Sequence, residues 1–516
     1  MPTGRKYIPD NPAKAIRYLL FVAAPFIAAY LIAYVELDPD KPVLTYTLAV
    51  AVLMAIWWVT EIVPLAITSL LPIVLFPAFG IMDGREVSAT YFNHVIFLFI
   101  GGFLVALAIQ KWGLHKRIAL KILKIVGSSP ARILLGFMFA TAFLSMWISN
   151  TATAMLMVPI LLSIITKLEE INTKALVNHF AVGLLLSIAY SASIGGVATL
   201  VGTPPNLSFA RIFYIYFPEA PEISFATWFF YAFPITVLLF GLVFGYLYFI
   251  FVKRKTQWKS LRKEEIAEAY LKLGSKGFEE KVLLVAFAGL ALLWFFRADI
   301  VLGSFTIPGW SGLFNQPEFF NDGTVAILVA VILFIIPSKS SPGTFLMDWK
   351  AAEEIPWEII LLFGGGFALA SGFKESGLSL WFGQQLEWLS GMPPIVLILC
   401  ISLLVTFLTE VTSNTATVET LLPILAGLAV SIETNPLLFM LPATIAGSLA
   451  FMLPVATPPN AIVFGSKRLT VIQMAKTGFV LNLIGVILVS LVTYYFGTLI
   501  FDISEGIFPD WAIIPK

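Results

Sequence analysis

Ser149-Asn-Thr-Ala-Thr153 lies inside a long apolar stretch, and the same five residues return as Ser413-Asn-Thr-Ala-Thr417. Working outward, Phe143–Ile160 aligns with Phe407–Ile424 at an offset of 264. Nine of the eighteen positions match, among them Phe143/Phe407 and Pro159/Pro423. The same offset aligns Phe99–Leu114 with Phe363–Leu378, pairing Gly101/Gly365, Gly102/Gly366, Phe103/Phe367 and Gly113/Gly377. A second motif is also doubled, as Gly202-Thr-Pro-Pro-Asn206 and Ala456-Thr-Pro-Pro-Asn460. The chain is therefore built from two related halves, each carrying helix-breaking polar elements in apolar surroundings.

Apolar residues make up 59% of the sequence and charged residues 12%, where soluble domains carry roughly 25% charge. With many apolar runs near helix-spanning length, the composition gives an all-α polytopic membrane protein. Net charge is +1, which gives nucleic acid no electrostatic handle. Cys400 is the single cysteine, so no intrachain disulfide forms. The apolar run Leu19–Tyr34 follows Arg5, Lys6, Lys14 and Arg17. It is long and lacks a small-residue cleavage site, so it reads as a retained first span and not a signal peptide.

Basic loops stay cytoplasmic. Basic clusters fall at Arg5–Arg17, Lys111–Arg132, Lys253–Lys281, Lys339–Lys350 and Lys467–Lys476. Acidic or uncharged stretches fall at Glu36–Asp40, Met82–Asn93, Glu219–Glu222, Ala298–Asp322 and after Asp502. Satisfying both sets requires eleven crossings, near 18–35, 44–60, 62–82, 95–110, 179–217, 226–252, 281–297, 323–337, 358–373, 438–466 and 476–500, with the N-terminus cytoplasmic and the C-terminus extracytoplasmic. Two apolar stretches, 133–166 and 392–432, begin and end on one side and read as re-entrant hairpins from opposite faces. The segment 95–110 then runs inward while its repeat 358–373 runs outward, so the repeats are inverted. The domains are residues 1–43 (N-terminal segment and first span), 44–252 (first repeat, with the broken helix 179–217), 253–280 (a cytoplasmic connector helix), 281–500 (second repeat, with the broken helix 438–466) and 501–516 (the tail). Lys116–Val126 and Ser379–Ser390 read as amphipathic interfacial helices.

Proline removes a helical N–H and clashes with an upstream carbonyl. The two Thr-Pro-Pro elements therefore free carbonyls at Gly202 or Ala456, ligands suited to a hard cation such as sodium. Ser149, Ser413, Asn150 and Asn414 offer further oxygens at the tips, and helix N-termini beginning there favour an anion. The plain alternative for each motif is a helix cap or a kink. Duplication of both, on opposed hairpins, argues for a transporter site. His94, His115 and His179 show no metal-ligand spacing, Glu61 reads as structural, and Glu410 has Met146 at its repeat position, so it is no symmetric ligand. No Walker loop, HExxH, paired-cysteine motif or nucleophile–base pair is present. No catalytic residue is assigned and an enzyme is not expected; a channel built from opposed half-helices is the alternative from another class.

The paired Ser-Asn-Thr tips and Thr-Pro-Pro breaks resemble the divalent anion/sodium symporter family of dicarboxylate, citrate and sulfate transporters, over almost the whole chain. The resemblance implies a homodimer in the plasma (inner) membrane, with a scaffold domain and a transport domain moving as an elevator. It implies one sodium site from Ser145, Ser149, Asn150 and the Gly202 carbonyl. A second would use Thr409, Thr412 through its carbonyl, Ser413, Asn414 and the Ala456 carbonyl. Substrate carboxylates would be held by Asn150, Thr151, Asn414 and Thr415, over a floor of Thr203, Pro204, Thr457 and Pro458. The implied function is sodium-coupled import of C4-dicarboxylates (succinate, malate, fumarate), with sodium as the coupling ion and no organic cofactor. Sodium-independent dicarboxylate exchange and citrate or sulfate transport are the alternatives within the family.

Overall fold

The computed structural model describes residues 12–253, 262–302, 305–503 and 506–513. Arg5 and Lys6, residues 254–261 of the expected connector and the end of the tail lie outside the described residues. The first half contains α1 (Pro12–Tyr34), α2 (Pro42–Thr60), α3 (Leu65–Thr68), α4 (Leu71–Ala78), α5 (Gly84–Thr90), α6 (His94–Lys111), α7 (Leu114–Val126), α8 (Pro130–Ser145), α9 (Asn150–Ile171), α10 (Lys174–Val197), α11 (Pro204–Tyr216) and α12 (Phe225–Phe251). After α13 (Lys263–Leu271), the second half contains α14 (Phe278–Phe295), α15 (Asp322–Ile335), α16 (Trp349–Ala352), α17 (Trp357–Ser376), α18 (Leu378–Gln385), α19 (Pro394–Leu408), α20 (Asn414–Ser431), α21 (Leu437–Ala446), α22 (Pro458–Phe464), α23 (Val471–Val492) and α24 (Thr498–Ile500). Prolines open α2, α8, α11, α19 and α22, positions where the missing N–H costs nothing.

Among the described residues, nine helical stretches are long and apolar enough to cross a membrane. They include α9 and α20, the second arms of the two expected hairpins. Several expected spans are shorter: α15 has 14 residues, and the stretches at 62–82 and 438–466 are each split in two. α10 is central, with every residue of its apolar window buried, as befits a helix apolar all round. α1 sits at the periphery against α2 and exposes Leu19, Phe26 and Tyr30.

Three features differ from the sequence expectations. The 62–82 stretch is not one helix but α3 and α4 joined at Ser69–Leu70. Pro72 and Pro77 remove helical donors, and the Ser69 carbonyl turns instead to accept from the Tyr91 hydroxyl. The Trp58 indole donates to the Ser69 hydroxyl (3.1 Å) and fixes the turn. The structure is not wholly helical either, since Ile300–Leu302 pairs antiparallel with Phe305–Ile307. The second amphipathic segment ends its α-helix at Gln385 and continues as a 3₁₀ turn over Glu387–Gly391.

Close backbone crossings follow the duplicated glycines. A Cβ on Gly101 would fall 2.5 Å from that of Ala326 on α15, and one on Gly365 would fall 2.5 Å from Ser69. At the far end of α14, Arg297 pairs with Asp322 (2.5 Å) and Glu222 (2.7 Å), while Asp322 also accepts from the Phe225 backbone N–H (2.7 Å). This buried knot ties α14, α15 and the start of α12. At the opposite end Glu279 accepts from the Ser338 hydroxyl and from the N–H groups of Lys339 and Ser340 at 2.8–2.9 Å. Those donors hold its carboxyl down to about 2.

Candidate functional site

The two Ser-Asn-Thr motifs sit at the turns between α8 and α9 and between α19 and α20, each Asn being the first residue of its helix. Ser145 donates its hydroxyl to Asn150 Oδ1 (2.5 Å), and Thr409 donates to Asn414 Oδ1 (2.6 Å). Each tip is also tied to a helix break. Thr199 donates to the Met146 carbonyl (2.5 Å), and the Thr409 hydroxyl also lies within 3.2 Å of the Gly447 carbonyl. Ser149 caps α9 by accepting from Ala152 N–H, and Thr457 caps α22 by accepting from Asn460 N–H.

The breaks separate α10 from α11 and α21 from α22. In each, the asparagine of Thr-Pro-Pro-Asn closes the gap. Asn206 Nδ2 donates to the carbonyls of Gly196, Val197 and Thr199 (3.2, 3.2 and 2.8 Å), and Asn460 Nδ2 donates to those of Ala450 and Leu453 (both 3.0 Å). The carbonyls expected to be freed, those of Gly202 and Ala456, are not among the ones these two asparagines satisfy. Both side-chain oxygens, Asn206 Oδ1 and Asn460 Oδ1, are buried with no hydrogen-bond partner among the described residues, which suits a cation or water beside each break. A Cβ built on Gly196 would lie 2.7 Å from Asn150 Oδ1 and 3.1 Å from the Gly202 carbonyl oxygen. These two oxygens thus converge on a spot that glycine leaves open. Glu410, buried, accepts from Met452 N–H, Leu453 N–H and Asn482 Nδ2 at 2.7–3.0 Å. It braces the second break and does not face the cavity.

Both tips and both breaks line one cavity of about 570 Å³. All eight expected substrate residues line it: Asn150, Thr151, Thr203, Pro204, Asn414, Thr415, Thr457 and Pro458. Of the expected cation ligands, Ser149, Gly202, Thr412, Ser413 and Ala456 also line it, while Ser145 and Thr409 are fully buried behind the two asparagines. The Thr412 hydroxyl is engaged with the Leu408 carbonyl and the Thr417 hydroxyl, leaving its carbonyl as the free-standing candidate. α9, α11, α20 and α22 all begin at the cavity, so the positive ends of four helix dipoles meet there.

The remaining wall had no motif to announce it. Phe99 and Phe103 of α6, Leu65, and Ile359 and Leu362 of α17 supply apolar surface, and Glu61 is the one ionisable residue among those lining the cavity. Glu61 terminates α2 with a positive φ of 50°. The phenylalanines carried one usable signal: they belong to the doubled Gly-Gly-Phe segments, whose rings meet as Phe99 against Phe363 (5.2 Å, edge to face). The histidines lie elsewhere, with His94 edge-on to Tyr214, His115 beside the Ile109 carbonyl and His179 beside that of Ile250. Among the described residues no group of three His, Cys, Asp or Glu could hold a metal ion.

The model of the sodium:sulfate symporter transmembrane region matches residues 13–503. The chain is 43% identical over 461 residues to the sodium-dependent dicarboxylate transporter SdcS of Staphylococcus saprophyticus, covering 88% of this chain and 86% of that one. It is 44% identical over 464 residues to SdcS of Staphylococcus aureus strain MRSA252, covering 89% and 87%. Among solved structures, the Neisseria gonorrhoeae efflux pump MtrF aligns with a TM-score of 0.54 at 14% identity, over 98% of this chain and 97% of that one. The Alcanivorax borkumensis YdaH transporter aligns at 0.50 and 14%, over 94% and 98%. At that identity these two likenesses speak for the fold alone.

Proposed function

The chain belongs to the sodium:sulfate symporter family, and from that premise we propose that it imports C4-dicarboxylates such as succinate, malate and fumarate by sodium symport. The observation that carries this reading is the single cavity in which both tips, both breaks and four helix N-termini meet without any Lys or Arg among its lining residues. A dicarboxylate there is held by amide and hydroxyl donors and helix dipoles, with sodium supplying the missing positive charge. One sodium sits at Ser145, Ser149, Asn150 and the Gly202 carbonyl. The other sits at Thr409, Thr412, Ser413, Asn414 and the Ala456 carbonyl. Cation binding organises each tip against its break, so an empty tip binds the anion poorly and uncoupled movement is suppressed.

In this reading the chain crosses the inner membrane eleven times from a cytoplasmic N-terminus. The arms α8–α9 and α19–α20 enter as re-entrant hairpins from opposite faces. The hairpins, α10–α12 and α21–α23 form a transport domain that slides as an elevator against a scaffold of α1–α6, α14, α15 and α17, within a homodimer. Glu61 and Ile359 fall at cytoplasmic helix ends by the loop-charge rule, so the cavity they line faces the cytoplasm.

Labelled succinate uptake into empty proteoliposomes tests the proposal, comparing an inward sodium gradient with matched choline. Accumulation with sodium alone supports symport. Uptake indifferent to the cation, or seen only after preloading with dicarboxylate, removes the sodium sites and leaves an exchanger.

A further inference from the structure

Glu419 is a carboxyl for which neither the tips nor the breaks have a use. It lies on α20, five residues beyond Asn414, with none of its surface exposed. Among the described residues its one polar partner is Ser208 of α11, whose hydroxyl donates to Oε1 at 2.8 Å, and Oε2 has none. The carboxyl fills a notch in α17, because a Cβ on Gly366 would collide with it. An ionised carboxylate taken out of water needs a cation or several donors, and here there is one neutral hydroxyl.

The elements around it supply no countercharge. α18 and α21 carry no charged or titratable residue. On α11, Arg211 stacks over Tyr214, and the Tyr216 hydroxyl donates to the Ala370 carbonyl. On α17, Lys374 donates to the Ile215 carbonyl, while Glu358 and Glu375 are exposed. Tyr46 of α2 packs on Phe79, Glu61 lines the cavity at the end of α2, and Cys400 of α19 is exposed. Among the described residues, Ser208 alone is within hydrogen-bond distance of the Glu419 carboxyl.

We propose that Glu419 is a proton-binding site at the seam between α20 and α17, and that this packed conformation forms only with the proton bound. The proposal rests on the transport reading for its consequence, and not for the proton itself. With the proton on Oε2 the carboxyl is neutral and fits the glycine notch; without it, α20 is driven off α17. The sign follows: the packed state is favoured at low pH and is lost as pH rises through the titration of Glu419 in that state.

Two measurements on reconstituted full-length protein test this. Infrared difference spectra of wild type against Glu419→Gln should contain the carbonyl band of a neutral carboxyl, lost in the variant. Sodium-driven fumarate uptake, with a substrate whose carboxyls titrate near pH 4 and so stay ionised, should fall in wild type as pH rises from about 6 to about 9, approaching tenfold per pH unit beyond the midpoint. Glu419→Gln should keep uptake and flatten the profile; Glu419→Asp, which retains the acid, should keep a slope if the Gln variant does not fold. A spectrum unchanged by the substitution, or parallel pH profiles, would overturn the proposal. Absence of sodium-driven uptake from both proteins would remove the transport reading, and the infrared result would still decide the proton.

Discussion

Met155 and Glu419 stand at equivalent positions of the two repeats, five residues beyond Asn150 and Asn414, yet 59% of Met155 is exposed and none of Glu419. The doubled glycines of α17 and α6 differ as well. Gly366 is filled by the Glu419 carboxyl, whereas a Cβ on Gly102 would meet only Val201 at 3.5 Å and Trp294 at 3.9 Å, ordinary contacts. Near-identical tip sequences thus sit in different packing, with α20 against α17 while α9 packs on α8, α10 and α22. The doubled parts specify what each half can do, and one conformation uses them unequally. On the transport reading the opposite conformation reverses the inequality, burying the α9 face and releasing that of α20.

Removing one tip at a time should have the largest effect. Asn150→Ala and Asn414→Ala should each cut sodium-driven succinate uptake by about 100-fold or more, since each loses bonds to a charged ligand in a site without spare donors. Folding, followed by size-exclusion elution, should persist. Near-wild-type uptake in either would mean that the symmetric geometry is not matched by symmetric use.

Next in size is the knot at the far end of α14. Arg297→Met leaves Asp322 buried without its cation, a loss of about 3–5 kcal/mol, read as a lower melting temperature in detergent. A smaller, paired test uses the glycines. Gly366→Ala should cost about 1–3 kcal/mol by overpacking against Glu419, while Gly102→Ala should be nearly neutral, and melting curves compare the two. Equal effects would mean that the asymmetry of the seam has no energetic content.

The smallest effect concerns Glu279, outside the doubled elements. Its carboxyl is held near 2 by three donors, so its contribution is present above the ordinary carboxyl range and lost as pH falls toward 2. Glu279→Gln should lower the melting temperature by a few degrees near pH 7, and the gap should narrow below the ordinary carboxyl range and close as pH falls toward about 2. A gap independent of pH would exclude the charge as the cause.

The tips and breaks were legible because prolines, hydroxyls and amides stand out in apolar runs, and repetition separated them from ordinary caps. The rest of the cavity was not. Ile359 and Leu362 are apolar residues on apolar helices, and nothing local distinguishes a cavity wall from a lipid-facing one. Asn206 and Asn460 lay inside a recognised motif, but their bonds reach carbonyls up to ten residues upstream, contacts that exist only once the chain has turned at the break. The split at Ser69 depends on Tyr91 and Trp58, brought together by packing. Glu419 carries no repeat signal in the sequence, since its counterpart in the first half is Met155.

Thiol labelling in reconstituted protein, with Cys400→Ser as background, tests the unequal use of the two tips most directly. Met155→Cys on α9 and Ala416→Cys on α20 are compared without ligand and with sodium plus succinate. Position 155 should react about tenfold or more faster than position 416 in the conformation described, and sodium with succinate should move the two rates in opposite directions. Rates that rise or fall together, or that ignore sodium and succinate, would contradict that unequal use.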